Sequence, residues 1–206
     1  MPNIRVFVAA IVLSLCSARS GMAAIQLGPP FGEHMVLQQG VPVPIWGSGC
    51  PGGDTVRVSI AGQSVTARSD WAGRWLVILA PMKAGGPYQM LVQIGGVGRL
   101  VNSSAATAQG FVELNDIVVG EVRVMTSLTG GNAAGIAGPE NTETPSAWIR
   151  VYKVSASASG EAQGAQVGRW TVALADTASG ASYAFARKLY DQVGVPIGVI
   201  ERPAGP

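Results

Sequence analysis

The sequence has 206 residues, 13% of them charged, with 28 glycines, 13 prolines and a formal charge of +2. This composition excludes a helix bundle and a disordered chain. It points instead to a loop-rich, β-rich globular protein of one large domain or two small ones. No basic run occurs, which removes nucleic acid and an anionic membrane surface from the expected partners.

Residues 1–24 read as a secretory signal. Arg5 precedes the apolar run Val6–Cys16, and small residues follow, with cleavage after Ala24 or Ala18 both acceptable. The run is shorter than the roughly 20 apolar residues of a membrane span. The bulky Leu15 before Cys16 argues against a lipoprotein signal. Secretion, or release into a periplasm, with no stable membrane association after signal removal, is therefore expected. Loss of the leader takes Arg5 and Arg19 with it, which brings basic and acidic residues level. It also takes Cys16, so Cys50 is left without a disulfide partner and reads as a structural thiol in the turn Gly47–Gly53.

Residues 25–110 show short β-rich segments punctuated by turn chemistry: Met35–Gln38, Val43–Trp46, Thr55–Ile60, Ser64–Arg68, Trp75–Leu79 and Tyr88–Ile94. Thr55–Ile60 alternates polar and apolar side chains, as a half-buried strand does. Strands at this spacing with Gly/Pro turns predict an antiparallel sandwich. His34 is the sole histidine. With no activating partner near it in sequence, it reads as a turn residue rather than a catalytic base. Trp46, Trp71 and Trp75 read as core and turn packing rather than a sugar-stacking platform.

Residues 111–206 form a second region, entered through the small, polar link Asn102–Gln109. It opens on a β-branched run, Ile117–Val119, continuing through Val122 and Val124 and breaking into the polar turn Thr126–Gly131. A buried strand that ends this way is where an open α/β sheet places its chemistry. Gly130–Ser146 carries no helical stripe. Strands are predicted at Trp148–Val154 and Arg169–Leu174, a helix over 180–193, and a strand over Pro196–Ile200. The helix is read from Phe185, Leu189 and Val193, with Ala181, Ala184, Ala186 and Tyr190 beside them, capping serines Ser179 or Ser182 at its start and Gly194 and Pro196 after. Strand, crossover with helix, and strand make an α/β unit with parallel pairing.

Several blocks together carry a resemblance. Phe31–Gln38 and Pro42–Gly47, followed in order by Ala61–Gln63, Gly73–Trp75, Lys83–Tyr88 and Asp116–Val122, resemble the N-terminal part of bacterial sialate O-acetylesterases. Ala184–Leu189 and Gly194–Ile200 continue that resemblance. It implies a β-sandwich followed by a partial α/β/α domain of the SGNH, flavodoxin-like type, and hydrolysis of O-acetyl esters on sialic acid or related sugars. The expected partner is thus an acetylated sugar or sialic acid; the oligomeric state is left open.

The family's nucleophilic serine lies in a Gly-Gln-Ser-Asn-Met turn after a Val-Gly-Glu-Val strand. Register from Val119–Val122 sets Thr129 at the serine's position, Leu128 at the glutamine's and Gly130 at the asparagine's. Threonine keeps the hydroxyl, but its methyl stiffens χ1 and crowds attack. Thr126 comes too early in the chain, and Ser127 would serve only if the turn slipped by two residues. Gly205 matches one glycine of the family's second glycine turn, although Pro203 and Pro206 remove backbone donors beside it. Family enzymes take the catalytic histidine from a late Asp-x-x-His segment, which these residues do not contain. Little or no esterase activity is expected on that account. The alternative is a non-catalytic carbohydrate-binding or scaffolding module, or a truncated, decayed family member. No cofactor and no metal are expected: no His/Cys/Asp/Glu group has ligand spacing, and Gly95–Gly98 lacks the context of a phosphate loop.

Overall fold

The computed structural model describes residues 24–95, 110–127, 146–154, 168–173 and 180–203. Three short strands, β1 (Gln26–Leu27), β3 (Val43–Ser48) and β6 (Trp75–Leu79), form one antiparallel sheet in the order β1-β3-β6. A second sheet faces it, built from β4 (Thr55–Ile60), β5 (Gln63–Arg68), β7 (Gly85–Ile94) and the first half of β8 (Phe111–Ser127). Alternation decides which residues meet between the two sheets. Val43, Ile45, Trp75, Val77 and Leu79 on one side share a core with Val56, Val58, Ile60, Met90 and Val92 on the other. The expected sandwich is therefore present, with β4 and β6 at their predicted bounds. The β4–β5 hairpin closes through Ala61 and Gly62, both at positive φ, with Ile60 opposite Gln63. That is the mirror-image two-residue turn which matches strand twist. β7 starts earlier than the sequence suggests, because Gly85 already pairs with Val119.

Cys50 is buried, and burial pushes its thiol pKa up against a hydrogen bond from Ser69. It packs in the sandwich core as an inert side chain. The three tryptophans part company. Trp75 is in the core, Trp46 sits edge-on to Phe31 with ring centroids 4.5 Å apart, and Trp71 stands 99% exposed. Trp75 packs in the core as expected, whereas the exposed Trp71 departs from the packing reading.

β8 is the shared element of the fold. Its first half pairs antiparallel with β7 (Gln93 opposite Phe111, Tyr88 opposite Ile117). Its middle pairs in parallel with β2 (Val36–Gln38), Val36 lying opposite Val118. Its second half pairs in parallel with β11 (Ile197–Pro203), from Glu121 opposite Ile197 to Ser127 opposite Pro203. β9 (Ile149–Val154) runs parallel to β11 on that strand's other side, and β10 (Gly168–Val172) closes this edge antiparallel to β9. Two glycines permit the close strand crossing. A Cβ on Gly120 would collide with the Pro196 carbonyl, and one on Gly198 would press on Val36.

The helix α1 (Gly180–Val193) has its predicted bounds and covers one face of the parallel strands. Its inward residues are Tyr183, Ala186, Leu189 and Tyr190, packed on Ile149, Val151, Ile197 and Val199. Phe185 and Val193, two of the three residues in the expected stripe, are exposed instead. A strict four-residue repeat drifts round a helix of 3.6 residues per turn, whereas alternating three- and four-residue steps stay on one face. The small Ala186 at the centre lets the helix approach the sheet. The opposite face of these strands, through Val122, Tyr152, Trp170 and Ile200, joins the sandwich core. The result is a mixed α and β fold, mostly sheet, with one helix among the described residues.

Candidate functional sites at the two ends of a shared strand

In open sheets with parallel strands, chemistry collects beyond the strands' carboxyl ends. Here β8 and β11 end side by side, Thr126 opposite Arg202 and Ser127 opposite Pro203. Thr126 and Ser127 still belong to the strand, so neither presents its hydroxyl from a turn. Thr129, Gly130 and Gly205, the residues expected to carry attack and oxyanion binding, lie outside the described residues. The strands that precede them in sequence, β8 and β11, are paired to their ends. Next to this edge Glu201 is buried, opposite Met125 on one side and Lys153 on the other.

Further back along β8, Glu121 accepts hydrogen bonds from Gln39 Nε2 and Arg123 Nη2, each at 2.8 Å. The Gln39 hydrogen bond is the largest influence on its carboxyl, and with help from Gln38 and Arg123 it outweighs desolvation and lowers the pKa. Gln38 Oε1 in turn accepts the Val122 N–H at 2.8 Å. Through this network Glu121 fastens the segment after β2 to β8.

The other end of the parallel region holds a denser cluster, which the sequence reading did not assemble. His34 Nδ1 donates to Asp116 Oδ2 at 2.7 Å, and Arg150 Nη2 donates to Asp116 Oδ1 at 2.7 Å. Arg150 also donates to the backbone carbonyls of Asp116 and Ala147, and its side chain is 3% exposed. Burial pushes the Asp116 carboxyl up, but the hydrogen bonds from His34 and Arg150 and the nearby guanidinium charge prevail and hold it below the usual carboxylate range. His34 (φ 62°) and Asp116 (φ 56°) both occupy the left-handed region that L-residues rarely adopt. Asp116 does so at a register shift in the β7–β8 ladder, the mark of a bulge. The opposing loop is pinned there by His34 N–H on the Asn115 carbonyl and by Asn115 N–H on Glu33 Oε2.

The two residues are 82 apart in the chain. The signal that joins them is the parallel register Val36–Val118: two residues back from each lie His34 and Asp116.

His34 therefore has the carboxylate partner that its sequence neighbourhood lacks, yet it cannot serve the predicted nucleophile. A strand rises about 3.3 Å per residue, which puts Asp116 and Ser127 on the order of 30 Å apart along β8. Thr129 follows Ser127 by two residues, a reach of at most about 7 Å. A general base must sit within roughly 3 Å of the proton it takes.

Beside the cluster, residues 31–34 and the strand β10 bound an open cleft of about 660 Å³, with Tyr152 in its wall. Trp170 Nε1 donates to the Pro30 carbonyl at 2.7 Å and ties the two walls together. Among the described residues no group of His, Cys, Asp and Glu has the arrangement of a metal site.

Comparison with known proteins adds to this geometry. Neither a protein-family model nor a curated protein matches the chain. Among solved structures it matches the crystal structure of a carbohydrate acetylesterase from Xanthomonas citri, with 27% identity and a TM-score of 0.68 over 88% of this chain. The chain is structurally similar to a carbohydrate esterase. It spans 40% of that enzyme's length.

Proposed function

We propose that this chain is a secreted or periplasmic carbohydrate O-acetylesterase-type protein, of the sialate O-acetylesterase kind, with little turnover of its own. In this reading the parallel strands β8, β11 and β9 begin an SGNH-like domain, Thr129 occupies the nucleophile's seat, and Gly130 and Gly205 stand where oxyanion donors are wanted. The observation that carries it is the 27% identity with a carbohydrate acetylesterase over 88% of the chain. Agreeing with it is the β8 strand, which runs from the sandwich straight to the edge of the parallel sheet. An acetylated sugar is the substrate class.

The low-turnover reading is supported by the placement of His34. It is bonded to Asp116 at the end of β8 away from Ser127. A hydroxyl beyond Ser127 gains no general base from this pair. That same observation favours the second reading, a carbohydrate-binding or scaffolding module.

Acetate release from O-acetylated sialic acid, acetylated xylan and an aryl acetate tests both, with Thr129→Ala as the comparison. Rates equal for the two proteins are expected. A Thr129-dependent rate would overturn the low-turnover reading and establish the esterase. Preference for acetylated xylan in that case would refute the sialate assignment.

A further inference from the structure

We infer that the outward face of the β1-β3-β6 sheet is a docking surface on which Trp46, Leu76 and Ile78 take up an uncharged, O-acetylated polysaccharide strand. The inference rests on the carbohydrate reading above and adds to it a surface on the sheet that β8 does not belong to.

Strand alternation sets the directions. Val43 and Ile45 of β3 and Trp75, Val77 and Leu79 of β6 are buried in the core, so the residues between them point outward. The register sets Trp46 directly opposite Leu76 and Pro44 opposite Ile78, which makes four apolar side chains adjoin on one face. Trp46, read from the sequence as packing, is 39% exposed there, Leu76 52% and Ile78 58%. Gln26 and Ser48, opposite each other where β1 meets β3, border the patch with an amide and a hydroxyl. A solvated sheet face looks different. On the opposing sheet of the same sandwich, the outward positions of β4 and β5 include Arg57, Ser59 and Ser64, joined by hydrogen bonds. A contiguous apolar patch with a polar border marks a place where something docks. The indole is also held ready for it. Phe31 stands edge-on against the ring, and a Cβ on Gly28 would collide with it. A ring fixed beforehand loses less freedom on binding.

Size and charge select the occupant. Paired strands lie about 4.8 Å apart and a two-residue step covers about 6.6 Å, so four side chains on that grid span on the order of 150 Å². A stable protein partner buries about 800 Å² a side, which leaves a second copy of the chain too little to hold. None of the three strands contains a charged residue, and Arg74, beside β6 in sequence, is paired with Asp70 at 2.7 Å. Nothing on this face draws an anionic ligand. A neutral pyranose presents a C–H face to the indole and hydroxyls to Gln26 and Ser48. Its O-acetyl methyl groups match Leu76 and Ile78, which offer a bare sugar no hydrogen bond.

The test titrates the full chain, carrying Thr129→Ala so that acetyl groups stay in place, with O-acetylated xylotetraose, and follows backbone amide signals. Saturable shifts in β3 and β6 at millimolar concentrations are expected. Deacetylated xylotetraose should bind about four-fold more weakly, the worth of one buried methyl. Trp46→Ala should weaken binding about ten-fold. Leu76→Gln, at an exposed position outside the packing of the indole, should weaken it about four-fold, with amide signals outside β3 and β6 unchanged to show that it folds. Trp71→Ala, which removes a fully exposed indole from the turn between β5 and β6, should change nothing. The inference is overturned by no shift at tens of millimolar ligand, by equal affinity for the deacetylated sugar, by affinity that neither Trp46→Ala nor Leu76→Gln alters, or by loss of binding in Trp71→Ala. Self-association, or binding to phosphatidylcholine vesicles, that Leu76→Gln abolishes would also overturn it, by giving the face to another occupant. Acetate release is measured separately on the unsubstituted chain. A result against the esterase-type reading therefore leaves the binding result as it stands, and failure of binding leaves the acetate assay untouched.

Discussion

The two ends of the parallel part of β8 differ in kind. At its amino end three polar side chains, His34, Asp116 and Arg150, come from three separate segments and meet at hydrogen-bond distance, one of them buried. At its carboxyl end the strand offers Thr126 and Ser127 opposite Arg202 and Pro203. The end with a carboxylate–imidazole pair resembles catalytic machinery, while the end that fold rules nominate for chemistry carries small hydroxyls. Contact chemistry alone would choose the first. Strand direction chooses the second, because residues that leave parallel strands at their carboxyl ends converge on one crevice. An Asp–His pair is therefore evidence of an oriented imidazole before it is evidence of a nucleophile's partner.

The sharpest way to break this comparison is to remove Asp116. Asp116→Ala strips a buried guanidinium of its only carboxylate among the described residues, leaving it two backbone carbonyls. Loss of one partner of a buried pair is costly, and the partial exposure of Asp116 moderates it. A fall in stability of roughly 2–4 kcal/mol is expected, measured by denaturant unfolding. A change under about 0.5 kcal/mol, the range of ordinary surface substitutions, would show that the cluster does not hold the fold together.

The middle of β8 is probed by Gly120→Ala, where the added methyl meets the Pro196 carbonyl, a group that cannot swing aside. Overpacking of this kind costs about 1–3 kcal/mol. Because Pro196 leads into β11, the damage should fall on the parallel strands. Amide exchange should quicken in β11 and β9 and stay slow in β4 and β7. Uniform loss of protection across all four would mean that the sandwich and the parallel strands unfold as one unit.

How much of this could be read beforehand follows the range of the interactions. Thr55–Ile60 and Trp75–Leu79 were legible to the residue because a strand half-buried in a sandwich repeats its environment every two positions. The helix limits were legible from Gly194 and Pro196, whereas its inward face was not. Phe185 is as apolar as anything on the helix, and only the close approach at Ala186 decides which side turns in. The fastening role of Glu121 was hidden for a similar reason, since its partners lie on the segment after β2. The His34–Asp116 pair lay beyond any local reading. It depends on β2 pairing in parallel with β8, a long-range choice made by topology. The expectation at Thr129 rests on family resemblance and strand direction alone, and the residue lies outside the described ones.

The smallest expected effect separates the carboxylates that bind the two halves of β8. Asp116 and Glu121 both have folded pKa values below their ordinary ones, which are 3.8 and 4.5 for these side chains. In acid the unfolded chain takes up these protons before the folded one does, so stability falls with pH. The contribution is fully present above the ordinary carboxylate range and is lost as pH drops through it toward the lower folded values. Melting temperature should therefore decline below about pH 4.5. Glu121→Gln should flatten part of that decline at a small cost near neutral pH, where the amide still pairs with neighbouring oxygens. Added salt should weaken the Asp116 share more than the Glu121 share, because the Asp116 side chain is 36% exposed and that of Glu121 19%. A melting temperature that holds level from neutral pH to pH values well below 4.5 would show that neither carboxylate contributes to holding β8 against its neighbours.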